Sequence, residues 1–131
     1  MIRETRDFDL IARVFSRPEV EKYRPTDAFE PVIPENAVYY EAMKDGRTVG
    51  VIYFDELDGD LEGHFMVLPE GAGLAAMYAR QALRDVTRKT GKKVVGFTPR
   101  DNTKALRAAF AAGMKYVAMT DEWHMTEYRD G

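Results

Sequence analysis

The sequence predicts one domain of the α/β (α+β) class, a mixed sheet with helices on its faces. The chain of 131 residues suits a single domain spanning residues 1–131. Its apolar fraction of 45% and charged fraction of 31% are typical of a globular protein rather than a disordered one. Strand-like and helical patterns follow each other in the order β-α-α-β-β-β-α-β-α-β-β, which gives the mixed architecture.

The first third of the chain is predicted to hold one strand, two helices and a loop. Met1–Arg6 has the pattern of a short strand, and Asp7 is placed as the N-cap of a helix. The apolar face of that helix consists of Phe8, Ile11, Ala12 and Phe15. Pro18 begins a second helix, Pro18–Tyr23. Three prolines predict a loop over Arg24–Asn36, of the kind that often covers a site.

The middle of the chain is predicted to form three strands. Val38–Met43 and Thr48–Phe54 flank Asp45-Gly46, and Asp-Gly between β-rich runs is a strong hairpin signal. A second, acidic turn over Asp55–Asp60 leads to the third run, Leu61–Leu68.

The remainder is predicted to alternate between helices and strands. Gly71-Ala72-Gly73 opens a long helix that ends at Gly91. Asp101 or Asn102 caps a second one, whose Leu106 and Phe110 face the core and which Gly113 ends. The strands in this part are Val94–Phe97, Lys115–Met119 and Trp123–Tyr128.

The composition excludes several kinds of site. Without cysteine there are no disulfides, thiolate zinc sites or cysteine nucleophiles. Two histidines and no suitable carboxylate spacing predict no metal site. The longest uncharged stretch, Gly71–Ala79, is too short to cross a bilayer, and the N-terminus has no apolar signal segment. We therefore expect a soluble, cytoplasmic protein with no membrane partner.

Basic side chains are concentrated between residues 80 and 115, where ten of them stand against two acidic ones. Such a cluster attracts anions whatever the net charge of the chain, here −3. A solvated helix face explains it, and so does a site for a phosphate-bearing ligand. A pI near 5.4 argues against nucleic acid as a general partner.

Motifs in the second half of the chain carry a family resemblance. Val67-Leu68-Pro69-Glu70 resembles a V-x-P-E motif, Asn102-Thr103-Lys104-Ala105 an N-x-x-A motif, and Gly113-Met114 a Gly-Phe motif. These are motifs of the GNAT superfamily of acetyl-coenzyme-A-dependent N-acetyltransferases, and the element order is similar over essentially the whole chain. The chain resembles a short, divergent, phage-type member. The resemblance implies a mostly antiparallel central sheet.

The resemblance also implies acetyl-CoA as co-substrate. Small residues at a helix N-terminus let a pyrophosphate approach free backbone N–H groups. Strands that splay apart leave backbone N–H and C=O groups unpaired, and these can bond the pantetheine arm. Backbone N–H groups near Met66 and Val67 would stabilise the oxyanion. The residues assigned to the cofactor are Met66, Val67, Ala72, Gly73, Leu74, Ala75, Ala76, Met77, Asn102, Lys104 and Phe110.

Glu62 and His64 are the candidates for the catalytic base. They alternate along the third β-run and therefore share one face of it. His64 is preferred, because an imidazole changes its charge near neutral pH. The alternative is that His64 is an ordinary hydrogen-bonded strand residue and Glu62 a solvated one. His124 lies in an aromatic strand and is interpreted as a core or dimer contact.

Two further features bear on the binding of the amine that would accept the acetyl group. Tyr23, Tyr39, Tyr40 and Tyr53 either line an acceptor pocket or pack in the core. The acidic turn Asp55–Asp60 is either simply solvated or steers a cationic acceptor.

The function predicted first is transfer of an acetyl group from acetyl-CoA to an unidentified amine, on a small molecule or a protein. The alternative is a non-catalytic binding or structural module with the GNAT fold, for example a phage virion component, and a homodimer is a further candidate partner. The alternative draws on departures from the motifs. Ala72, Ala75 and Met77 replace the Arg/Gln, Gly and Gly/Ala of the phosphate loop, and Ala109 stands at the place of a tyrosine acid.

Overall fold

A computed structural model describes residues 1–18 and 34–129 of the chain. The strands are β1 (Ile2–Glu4), β2 (Val38–Lys44), β3 (Arg47–Leu57), β4 (Asp60–Val67), β5 (Val94–Pro99), β6 (Lys115–Met119) and β7 (Trp123–Tyr128). The helices are α1 (Phe8–Phe15), α2 (Ala75–Thr90) and α3 (Thr103–Ala111), with a 3₁₀ helix, Pro69–Leu74, ahead of α2. No helix in these ranges is long and apolar enough to span a membrane.

The described strands form one sheet in the order β1-β2-β3-β4-β5-β7-β6. The β4–β5 pair is parallel, and the other five pairs are antiparallel. The predicted mixed, mostly antiparallel sheet with flanking helices is therefore confirmed. All but the first residue of the second predicted helix, Pro18–Tyr23, and most of the predicted loop Arg24–Asn36 lie outside the described residues.

Apolar side chains of the central strands pack on both faces of the sheet. Val51 and Tyr53 of β3 face α1, which buries Ile11, Val14 and Phe15 against them. The alternate residues Ile52 and Phe54 face α2 and pack with Leu83 and Val86. We refer to these two sides as the α1 face and the α2 face.

Two Asp-Gly turns set the lengths of the central strands. Asp45 and Gly46 have φ values of 51° and 76°, as a two-residue hairpin turn requires, so the first predicted hairpin is confirmed. The same geometry recurs at Asp58 and Gly59, with φ values of 50° and 85°. The prediction of a six-residue turn over Asp55–Asp60 is wrong, because this tight turn lets β3 continue to Leu57.

Capping residues mark where the helices begin and end. Asp7 caps α1 by accepting a hydrogen bond from the Leu10 N–H, at 3.1 Å, and Gly91 ends α2 with a φ of 68°; both were predicted. The long helix begins at Ala75 rather than Gly71. Pro69–Leu74 forms a tighter 3₁₀ helix, in which a Cβ on Gly71 would lie 2.8 Å from Val49 Cγ2. This close packing of the turn on β3 holds it out of the α-helical path.

Helix α3 contacts the sheet through small residues, and Phe110 is not part of that contact. That side chain is 44% exposed, so its predicted place in the core is wrong. Ala109 packs against the core instead, and the Phe110 ring contacts Tyr116 edge-on at 6.3 Å. All five residues of the neighbouring strand β6 are exposed.

Candidate functional site

Strand β4 is paired with β5 over only part of its length. The parallel ladder joins Leu61 to Val94, Glu62 to Val95, and Gly63 to Gly96, and then stops. Both strands continue, β4 to Val67 and β5 to Pro99. Within the described residues, the β5-facing backbone groups of residues 64–67 have no ladder partner. A polar ligand with an extended amide chain fits such an edge, because it completes hydrogen bonds that the sheet leaves open.

His64 is the first residue of β4 beyond the paired segment, and its imidazole lies beside two carboxylates. Its Nε2 is 2.9 Å from Asp55 Oδ1 and 3.9 Å from Glu62 Oε1. The side chains of His64, Asp55 and Glu62 are 25%, 32% and 27% exposed. The predicted candidates Glu62 and His64 are therefore neighbours on one face, and both are accessible to a ligand.

The register of the β3–β4 hairpin brings this group together. Tyr53 pairs with His64, and Asp55 pairs with Glu62, so the four side chains lie on the α1 face as two adjacent cross-strand pairs. The Tyr53 and His64 rings stack with centroids 4.3 Å apart and planes 11° apart.

An aromatic stack anchored on α1 fixes the plane of the imidazole. Tyr53 stacks on Tyr39 at 5.2 Å and contacts Phe15 at 5.5 Å, while Phe8 meets Tyr39 edge-on at 5.8 Å. Burial raises the pKa of Tyr39 to about 12, so its hydroxyl stays protonated and donates to the Pro34 carbonyl. The stack gives His64 little freedom to rotate.

The hydrogen bond to Asp55 determines which ring nitrogen of His64 is free. A carboxylate only accepts, so the neutral imidazole carries its proton on Nε2 and leaves a lone pair on Nδ1. An Asp-bound imidazole with one free nitrogen is suited to general-base catalysis, because the carboxylate stabilises the imidazolium that forms.

The predicted phosphate loop lies at the junction between the 3₁₀ helix and α2. Ala72 and Gly73 are exposed, and a Cβ on Gly73 would have nothing within 4 Å. Leu74, the N-cap of α2, makes no side-chain capping bond. Ala75, Ala76 and Met77 form the first helical turn and are at least partly accessible. The Ala75 N–H already donates to the Ala72 carbonyl, so an anion would bind the N–H groups that follow it. Met66 and Val67 lie on the unpaired end of β4.

The other predicted cofactor residues lie on α3. Asn102, not Asp101, caps this helix, its Oδ1 accepting from the Ala105 N–H at 3.1 Å. The amide nitrogen of Asn102 remains for another acceptor. Lys104 and Phe110 are exposed, and Lys104 makes no ion pair in the described part of the chain.

The basic cluster is partly used within the fold. Lys89, Lys92 and Lys93 make ion pairs with carboxylates, and Arg80 and Arg100 donate to backbone carbonyls. Only some of the ten basic residues thus remain to attract a phosphate-bearing ligand.

His124 lies two strands away from His64, on β7, and both of its ring nitrogens are engaged. Nδ1 is 3.0 Å from the Tyr116 hydroxyl and Nε2 is 3.2 Å from the Arg100 carbonyl oxygen.

Sequence reasoning placed Asp55 in a turn and therefore missed its contact with His64. The signal was present in Asp58-Gly59, because a two-residue turn there sets Asp55 opposite Glu62. Of the candidate tyrosines, Tyr53 and Tyr39 belong to the stack, Tyr40 faces α2, and Tyr23 lies outside the described residues.

By sequence, no family model and no curated protein matches the chain. By structure, it resembles the GNAT domain of S. lividans PAT with a TM-score of 0.76 at 15% identity, covering 97% of this chain and 88% of that one. The chain has the GNAT acetyltransferase fold. Another GNAT-fold neighbour is YncA of Salmonella typhimurium with its cofactor acetyl-CoA, with a TM-score of 0.72, 13% identity and coverage of 98% and 92%. The spermidine N-acetyltransferase SpeG of Vibrio cholerae has a TM-score of 0.72 at 13% identity, with coverage of 97% and 93%.

Proposed function

We propose that this protein is an N-acetyltransferase that moves the acetyl group of acetyl-CoA to the nitrogen of an amine. The observation that carries the proposal is the position of His64, at the point where β4 parts from β5. The unpaired edge suits the co-substrate, and the Asp55-bound imidazole beside it suits deprotonation of the acceptor. The GNAT fold of the chain, shared with YncA and SpeG, supports the same reaction class.

The binding role falls to backbone groups and small side chains. The open edge of β4 at Val67, which alternates with Met66 and faces away from β3, would bond the pantetheine amides, and the first turn of α2 would take the phosphates. Asn102 has an amide nitrogen to add, and Lys104 has a charge that no described residue pairs with. The side chains of Ala75 and Met77 leave the phosphates less space than glycine would at these positions. The backbone N–H groups of the turn are still present.

The chemical steps use one base and one oxyanion site. Nδ1 of His64 takes a proton from the acceptor ammonium, and the resulting amine attacks the thioester carbonyl carbon. As the C–N bond forms and the C–S bond breaks, backbone N–H groups near Met66 and Val67 stabilise the oxyanion. The new C–N nitrogen gives up its second proton to solvent. Coenzyme A leaves as a thiolate and takes its proton from solvent, because neither Ala109 nor Phe110 can donate one.

The proposal is tested by the effect of acetyl-CoA on the unfolding temperature. A ligand that binds only the folded state stabilises it by about 2.7 kcal/mol at a hundredfold excess over its Kd. Ala75→Asp, which puts a negative charge in the first turn of α2, should abolish this effect. Gln81→Asp, which adds the same charge to an exposed position further along α2, is the matched control and should preserve it.

No stabilisation at millimolar acetyl-CoA in a folded sample would refute the proposal. It would leave a non-catalytic module with the GNAT fold, such as a phage structural component. Stabilisation that survives Ala75→Asp would mean that the phosphates bind elsewhere.

A further inference from the structure

Asp55 and Glu62 differ from the other carboxylates of the sheet in lacking a basic partner. The described strands carry seven carboxylates, and the remaining five, Glu4, Glu41, Glu56, Asp60 and Glu127, each form an ion pair with a lysine or arginine. In the part of the chain that the structure describes, the carboxylates of Asp55 and Glu62 have no ion-pair partner other than the imidazole of His64.

This carboxylate pair is placed where two like charges are unfavourable. Asp55 and Glu62 stand directly opposite each other across the β3–β4 ladder, and like charges in that relation destabilise a sheet. While His64 is neutral, as a base must be before it accepts a proton, nothing in the described residues neutralises them. The resting site is therefore a partly buried double negative charge.

The hydroxyl of Tyr53 is a second, independent sign of a ligand at this place. Tyr53 is 7% exposed, and no described residue hydrogen-bonds its hydroxyl. Its ring lies parallel on the His64 imidazole, and the charges of Asp55 and Glu62 add to burial in raising the pKa of its phenol. The hydroxyl is thus a neutral, buried polar group close enough to both carboxylates for their charges to act on it. Among the described residues it lacks the hydrogen-bond partner that buried polar groups normally have.

We propose that the acceptor is an amine with at least two positive charges, a diamine or polyamine. This inference rests on the proposed acetyl transfer. The reacting nitrogen gives its proton to His64, so its charge moves onto the imidazole beside Asp55. The second ammonium keeps its charge throughout, and Glu62 and the Tyr53 hydroxyl bind it. An acceptor whose far end is neutral leaves Glu62 unmatched, and one whose far end is anionic is repelled by it.

Three amines of equal chain length test this proposal, because they differ only in the charge of the far end. They are 1,5-diaminopentane, 1-aminopentane and 5-aminopentanoate, each assayed with acetyl-CoA by thiol release on chelator-treated protein. The diamine should have a kcat/KM roughly tenfold or more above the monoamine, the low end for a hydrogen bond to a charged group. The amino acid should be the poorest of the three. In Glu62→Gln the advantage of the diamine over the monoamine should disappear.

Two variants separate a ligand role from a structural one. Glu56→Gln changes a carboxylate on the opposite face of β3, which is 69% exposed and paired with Lys92, and should leave the ranking of the three amines unchanged. Tyr53→Phe removes a buried hydroxyl that has no partner, so the unfolding temperature should stay the same or rise. In the same variant the KM for the diamine should increase several-fold, an effect that a purely structural tyrosine would not produce.

The result that overturns this proposal differs from the one that overturns the transferase. A flat or inverted ranking in a protein that acetylates amines would reject the dicationic acceptor and leave the transferase standing. The ranking is also measured as stabilisation by each amine without acetyl-CoA, so an inactive protein still gives an answer. Zn²⁺ or Mn²⁺ binding that Glu62→Gln abolishes, together with equal binding of the three amines, would assign the carboxylate pair to a metal and reject the acceptor role.

Discussion

Replacement of His64 by glutamine is the most direct test of the proposed chemistry. The amide keeps a polar group near Asp55 but has no nitrogen lone pair that can accept a proton, so the general base is lost. Loss of general-base catalysis lowers rates by roughly 10²–10⁴-fold. We expect the rate of thiol release by His64→Gln to fall within that range. Affinity for acetyl-CoA should change little, because its proposed contacts are backbone groups and Asn102.

The cost of this substitution to the fold should be small. The side chain is 25% exposed, and its main packing contact is the stack with Tyr53 at 4.3 Å. An aromatic pair contributes about 0.5–1.5 kcal/mol beyond its buried area. That loss lowers the unfolding temperature of a domain this size by only several degrees. The variant therefore remains folded at 25 °C, and a lower rate there reports on chemistry.

The assay follows initial rates against pH for wild type, His64→Gln and His124→Gln. His64→Gln should be slower than wild type at every pH at which wild type is active. His124→Gln is the control and should run at the wild-type rate, because His124 lies two strands away with both nitrogens bonded. Two variants that both run at wild-type speed would refute the assignment and make Glu62, acting through a water, the next candidate. If only His124→Gln is slow, the acceptor does not bind on the α1 face.

Three stability predictions concern residues away from the proposed base. The Tyr40 hydroxyl, with Lys89 adding, lowers the pKa of the half-exposed Asp85, so Tyr40→Phe should cost about 1.5 kcal/mol at pH 7. A carboxyl group whose pKa is lowered by folding stabilises the fold above its unfolded pKa of 3.8, and this stabilisation is lost in acid. The difference between wild type and Tyr40→Phe, measured by urea unfolding at several pH values, should therefore narrow below pH 3.8. Gly91→Ala should cost about 1 kcal/mol by the same measurement, because its φ of 68° strains any side chain although nothing lies within 4 Å. Phe110→Ser should change stability by only ~0.5 kcal/mol, since that ring is 44% exposed. A loss of several kcal/mol would mean that the ring is buried in the core.

Local signals in the sequence predicted most of the fold. The Asp7 cap, the Asp45-Gly46 turn and the glycine after the long helix each act within a few residues, and each is found where it was predicted. Phe110 was misplaced because helical periodicity does not state which face meets the sheet. The start of α2 was misplaced for a similar reason. The turn ahead of α2 packs closely on β3 at Gly71 and Val49, a contact distant in sequence that no local signal predicts.

The candidate site was predicted only in part because its geometry depends on pairing between strands. Alternation along β4 was enough to place Glu62 and His64 on one face. It did not show that Asp55 would reach His64, or that Tyr53 would stack on it, since both depend on the register with β3. Nor did it show where the β4–β5 ladder ends, which decides that His64 is the first residue at the open edge.

The register of the site is set by the second Asp-Gly turn, whose acidic residues the sequence left as either solvated or steering a cationic acceptor. Asp58 and Gly59 both take positive φ values, and this two-residue turn fixes Leu57 opposite Asp60 and every pair beyond it. A slip of one residue would move His64 and Glu62 to the α2 face and bring the apolar residues Leu61 and Phe65 to the acceptor side. The unpaired edge of β4 would survive such a slip, but the base would not stand beside it. In this fold, the register set by the turn at Asp58-Gly59 therefore places the proposed base beside the proposed co-substrate edge.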